Sequence, residues 1–170
     1  MRRTILTLVL TIATALAINA QSLTGKQWCA VFTDEDGENI AAALTFEKNG
    51  TCEFLMVAEQ VMKEDGVNIT IYGGVTIPGT YNHKGNDLNT KFNKAKATVD
   101  VDYEIQGMDA TAKALVDKQI KSVLEAGKGE LKNEMLKGMP KMDNLKIVSL
   151  EANKLVVKND DNQEISFYVK

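Results

Sequence analysis

Arginine is missing from this 170-residue chain except at Arg2 and Arg3. Guanidinium is the group that grips phosphate and guanine in two-point fashion, and past residue 20 none is on hand. From residue 21 on, 18 lysines face 23 acidic residues, a net charge of −5. Phosphate contacts dominate nucleic-acid affinity, so a nucleic-acid partner is excluded. Proline occurs twice, at Pro78 and Pro140, which rules out a proline-rich linker. Aromatics make up 6% of residues, too few for a base-stacking platform or for the aromatic girdles of an outer-membrane barrel. Two cysteines are too few for a structural zinc site. What is there, 44% hydrophobic and 25% charged residues, is the composition of one folded domain.

The first twenty residues read as a leader. Arg2-Arg3 is followed by a stretch, Ile5 to Ile18, that is apolar apart from threonines, with Ile18 and Ala20 in the positions that precede cleavage. Fourteen apolar residues fall short of the ~20 needed to span a bilayer. No cysteine closes the run to take a lipid. Residues 1–20 are therefore expected to be a signal peptide and 21–170 a single exported domain without a stable membrane anchor.

The domain opens with strand patterns. Gln27–Thr33 is a first strand, and Asp34–Asn39 the turn after it. Ile40–Glu47 and Thr51–Ala58 flank Lys48-Asn49-Gly50. A two-residue loop there would set Phe46 against Glu53. A three-residue loop with Gly50 left-handed instead pairs Phe46 with Cys52 and Leu44 with Phe54, and puts Thr45 opposite Glu53 outside. Alternation of side chains decides for the three-residue loop. Val67–Tyr72 and Val75–Asn82 read as two strands divided by Gly73-Gly74 and interrupted at Pro78-Gly79. Asp87–Asn93 follows as a weak strand. Thr98–Ile105 alternates without a fault, with Val99, Val101, Tyr103 and Ile105 on one face. Leu145–Glu151, Leu155–Lys158 and Glu164–Val169 form a terminal meander. About ten short strands with tight turns point to an antiparallel sandwich or barrel.

Residues 108–139 are the exception, a helical insert. Val116, Ile120, Val123, Leu124, Leu131 and Met135 fall within an arc of about 120° on a helical projection. Asp109 caps its start and Gly138 stops it. Gly127 and Gly129 end one helix or kink a longer one. The apolar stripe is expected to lie over an open face or end of the barrel.

Catalytic chemistry is sparse. His83 is the sole histidine and sits beside the Lys84-Gly85 turn, and none of Ser22, Ser122, Ser149 or Ser166 lies in a nucleophile elbow. Asp100, Asp102 and Glu104 share a strand face, but alternate strand residues stand about 7 Å apart, too wide to hold one calcium ion unaided. Asp34–Asn39 lacks the spaced ligands of an EF-hand loop. Met135, Met139 and Met142 read as adaptable core fillers rather than a copper site. No enzyme activity, metal or cofactor is expected. Cys29 and Cys52 form a disulfide only if a bulge brings them to one face; with Trp28 pointing inward, Cys29 points out.

Leu23-Thr24-Gly25-Lys26-Gln27-Trp28, the Leu44-Thr45-Phe46 to Asn49-Gly50-Thr51 hairpin, Gly79-Thr80-Tyr81 with Gly85-Asn86-Asp87-Leu88, and the terminal meander together resemble bacterial secreted lipocalin-like (calycin-type) domains. The resemblance covers about half of residues 21–170. It implies a bacterial exported protein, periplasmic, at the cell surface or released. It further implies an eight-to-ten-stranded antiparallel barrel, with Trp28 as a structural anchor, in a superfamily that often carries small apolar ligands. Two departures stand out: two residues separate Gly25 from Trp28, and the arginine that commonly packs over that tryptophan is lacking.

Two functions follow. One is a binding module holding a small apolar ligand inside the barrel, with Phe46, Phe54, Met56, Ile71 and Met135 as the contact residues and burial as the driving force. The other is a cell-envelope interaction or structural protein whose barrel is filled by its own side chains and whose partner is a protein. A cavity of ~300 Å³ or more favours the first. A filled interior with an apolar outer patch favours the second.

Overall fold

The computed structural model describes residues 22–33, 39–64 and 66–169. The leader read over residues 1–20 lies outside the described residues, as does the turn read over Asp34–Asn39 except for Asn39, which opens β2. Nine strands and one α-helix follow in order: β1 (Gln27–Thr33), β2 (Asn39–Phe46), β3 (Thr51–Glu64), β4 (Val67–Lys84), β5 (Asp87–Phe92), β6 (Thr98–Gln106), α1 (Ala110–Lys137), β7 (Leu145–Leu150), β8 (Lys154–Lys158) and β9 (Glu164–Val169). A short 3-10 turn, Lys94–Lys96, leads into β6. The protein is mainly antiparallel β-sheet with one helix. No helix among the described residues is long and apolar enough to cross a membrane.

Eight strands pair into a ring. β1 to β5 pair each with the next, β5 pairs with β7, β7 with β8, β8 with β9, and β9 returns to β1 through Trp28↔Val169 and Cys29↔Tyr168. β6 and α1 are thus an insertion between the fifth and sixth strands of the ring, and β6 pairs with β4 outside it.

The β2–β3 hairpin has the register that alternation dictates: Phe46↔Cys52, Thr45↔Glu53 and Leu44↔Phe54. Gly50 closes the three-residue loop at φ +84°, a left-handed conformation that an L side chain resists. Past Ala58 the strand runs on to Glu64, six residues beyond the expected end, paired with β4 along its whole length.

β4 corrects the reading of two strands divided at Gly73-Gly74. It is one strand of 18 residues. Gly73 lies within it where Leu131 of α1 fills the space a Cβ would take. Pro78 falls where β4 changes neighbour: β6 pairs up to Thr76 and β5 pairs from Gly79. Gly50 carbonyl accepts from Tyr81 N–H (2.9 Å), so odd residues of β4 bond to β3 and Pro78 faces the other edge. There its missing N–H lies in the gap between two partners and breaks no ladder bond. Its carbonyl accepts from Asn93 N–H at 2.8 Å.

The helix is likewise continuous. Gly127 and Gly129 do not end it, since α1 runs unbroken over 28 residues. Asp109 caps it by accepting from Thr111 N–H and Ala112 N–H, and Gly138 is its C-cap. Of the expected stripe, Val116, Ile120, Leu124 and Leu131 are half-buried and Met135 is buried, but Val123 is 70% exposed. The helix packs along β6, on the sheet face that carries Val99, Val101, Tyr103 and Ile105. Tyr103 hydroxyl donates to Asp117 Oδ1 (2.6 Å), and Lys132 Nζ donates to the Ala97 carbonyl (2.6 Å). In register, that face of β4 continues into the ring through Val75 and Ile77. Only the last turns of α1, with Leu131, Met135 and Leu136, join the main core.

Candidate interaction site

The inside of the ring is built from every second residue of each strand. Trp28 from β1, Leu44 and Phe46 from β2, Phe54 from β3, Ile77 from β4, Leu88 from β5, Leu155 and Val157 from β8 and Phe167 from β9 are all fully buried. Aromatic rings touch across it: Phe32 meets Phe54 at 6.4 Å and Phe167 at 6.3 Å, Phe54 meets Phe92 at 5.8 Å, and Phe46 meets Tyr81 edge-on at 4.8 Å. These are the separations at which aromatic rings attract one another in contact. Trp28 is held from both sides. Its Nε1–H donates to the Leu23 carbonyl (2.9 Å), and Lys26 Nζ lies 5.3 Å from its ring centroid, where the resemblance calls for an arginine.

The expected ligand contacts divide accordingly. Phe46, Phe54, Met56 and Met135 share one hydrophobic core with Met142, each packed against other side chains. Ile71 stands apart on the β4 extension, half-buried and paired in register with Gln60 and Tyr103. Thr90, buried in the same layer, donates its hydroxyl to the Met142 carbonyl.

The cysteines lie on opposite faces. Cys52 points into the core and Cys29 outward, and both are free thiols. Burial, with Asp143 nearby, pushes the Cys52 thiol up to about 12. His83 is exposed, its Nε2–H donating to the Gly85 carbonyl (2.8 Å) within the turn. Asp100, Asp102 and Glu104 are exposed on the outer face of β6. Among the described residues no group of three metal-ligating side chains converges.

Open concave surface lies instead on the outside of the ring. A groove of about 610 Å³ crosses β9, β1, β2 and β3. Ala41, Ala43 and Cys29 form its floor, and Val31, Leu55 and Val57 line it with Tyr168. No lining side chain is charged. Val31 is 68% exposed and Tyr168 52%. The ring register produces the groove directly, because Ala43 pairs with both Cys29 and Leu55, and Ala41 with both Val31 and Val57. Small side chains in the middle strand between larger ones make a trough. The signal was present in the sequence: with Leu44 and Phe54 set inward, Ala41, Ala43, Leu55 and Val57 occupy outward positions that a solvated strand fills with polar residues.

Compared with known proteins, the chain matches no protein-family model and no curated protein sequence.

Proposed function

We propose that this chain is an exported, non-catalytic interaction module of the bacterial cell envelope, lipocalin-like in architecture, that binds a protein partner through the outside of its barrel. The observation that carries the reading is the inversion of the carrier pattern. Large side chains fill the inside, and the uncharged concave surface is outside. Burying apolar groups there would supply roughly 25 cal/mol per Å². The lipocalin-like reading is supported by the neighbour-to-neighbour pairing that closes on itself, and by Trp28 locked at the start of β1. A small apolar ligand inside the ring is the weaker alternative, because Phe46, Phe54 and Met56 already occupy each other's surroundings.

The test is a photo-crosslinking side chain placed at Val31 and, as a control, at Glu104, in the protein's own host. The expected result is one discrete protein adduct from Val31, lost when Ala43→Arg fills the trough, and none from Glu104. Native mass spectrometry of the same preparation should give bare protein mass. A small-molecule adduct that persists in Ala43→Arg and disappears on denaturation would overturn the proposal in favour of an internal ligand.

A further inference from the structure

β3 outruns its neighbour. β2 pairs with β3 only from Cys52 to Val57, and the β1–β2 hairpin closes at Thr33↔Asn39, level with Glu59 if that register is continued. From Ala58 to Glu64, β3 pairs with β4 on one edge and with nothing among the described residues on the other. Val61 is 47% exposed there and Met62 42%. Glu59 and Lys63 are exposed and make no ion pair with the described residues.

Hydrogen bonds at the base of the hairpin tell which backbone groups face that edge. Glu47 N–H donates to the Thr51 carbonyl, and Gly50 carbonyl bonds to β4. Odd residues of β3 therefore direct N–H and C=O toward β2, and past its end those of Val61 and Lys63 meet no partner among the described residues.

We propose that this edge pairs with the same edge of a second copy, antiparallel, about a two-fold axis at Val61. In that register Val61 bonds to its own mate. Glu59 lies opposite the second copy's lysine and Lys63 opposite its glutamate, so one alignment supplies two reciprocal charge pairs. The adjacent registers do not: a shift in one direction opposes Glu59 to Val61, and in the other Lys63 to Val61. Direct opposition of unlike charges stabilises a strand pair, and of like charges destabilises it. The other edge of the extension, β6, which pairs with β4 alone among the described residues, is protected from the same fate. Centred on Asp102, it would set Asp100 against Glu104 twice, the kind of charge that blocks edge pairing. The product is a continuous six-stranded sheet shared by two molecules, and it leaves the outer groove uncovered.

Light scattering across a concentration series of the host-processed protein reads the outcome. The mass should rise to twice that of one chain as concentration increases. Glu59→Lys and Lys63→Glu should each raise the dissociation constant about tenfold or more, and the double exchange Glu59→Lys/Lys63→Glu should restore it. Val61→Pro, which removes an outward N–H that an edge strand does not need, should leave a folded monomer. A wild-type chain that stays monomeric overturns the proposal. So does a dimer that survives Glu59→Lys, or one abolished by Val31→Glu in the groove.

Discussion

Leu131 of α1 occupies the space that a side chain at Gly73 of β4 would need: a Cβ placed on Gly73 would lie 2.8 Å from Leu131 Cδ2. The glycine that looked like a strand break is the seat of the helix. Gly73→Val should destabilise the fold by about 1 kcal/mol, because the flexible end of Leu131 has to move aside. Adding Leu131→Ala should recover part of that loss. Gly74→Val, on the opposite face with its nearest neighbours at ordinary distance, should cost much less. Urea denaturation of the three variants separates a clash with the helix from a general intolerance of side chains in β4.

The other end of the helix is tied by Tyr103. Its hydroxyl bond, followed by the Lys121 ammonium, holds the Asp117 carboxyl below the ordinary carboxylate range. A carboxyl so lowered contributes stability above its ordinary pKa and loses it as pH falls through the lowered value. Tyr103→Phe should move the Asp117 titration upward, measured by carboxyl NMR. It should also speed amide exchange in the first turns of α1 while the last turns, anchored by Met135, keep their protection.

Cys52 and Cys29 should differ sharply toward thiol reagents. In native protein one thiol should react, and Cys29→Ser should remove it; in denaturant two should react. The raised pKa of Cys52 has a further consequence. Below about 9, the ordinary thiol value, Cys52 is protonated folded or unfolded and stability is unaffected. Above it the unfolded thiol ionises first, so stability falls between about 9 and 12. Cys52→Ala should flatten that part of the pH profile.

Local rules made some of this architecture legible. The β2–β3 register followed from the alternation of Phe46, Cys52 and Phe54, and the helix ends from Asp109 and Gly138, because neighbours in sequence decide both. Val99 to Ile105 announced a one-sided strand but not that α1 would be its cover. The strand count pointed to a sandwich or barrel, but the pair that closes the ring, Trp28↔Val169, was beyond reach, since no local signal joins the two residues. Pro78 and Gly73 misled for a related reason: each is tolerated in β4 only because of what lies beside it in space. As for the site, Phe46, Phe54 and Met56 are inward as read, Met135 reaches the same core from the helix, and Ile71 is not among them. That they pack against each other rather than around a void depends on how far the ring closes.

Gly127 and Gly129 in α1 meet nothing within 4 Å of where a Cβ would stand. The helix bears them without needing them. Gly127→Ala and Gly129→Ala should each stabilise by about 0.5–1 kcal/mol, visible as a higher Tm. A loss instead would mean that a close approach to another molecule requires the missing side chains.

The filled interior itself can be tested by emptying it. Phe54 touches Phe32 and Phe92 and is wholly shielded from solvent. Phe54→Ala should cost about 3–5 kcal/mol, because neighbouring side chains collapse only partly into the space vacated. A cavity lined by apolar groups stays dry and accepts small apolar molecules. The variant, and not the wild-type chain, should therefore gain thermal stability from saturating benzene. If wild type responds equally, room exists inside the ring already. If Phe54→Ala loses little stability and does not respond, the strands have closed around the gap, and the packing in the ring is softer than the full burial of Trp28, Phe46 and Phe167 indicates.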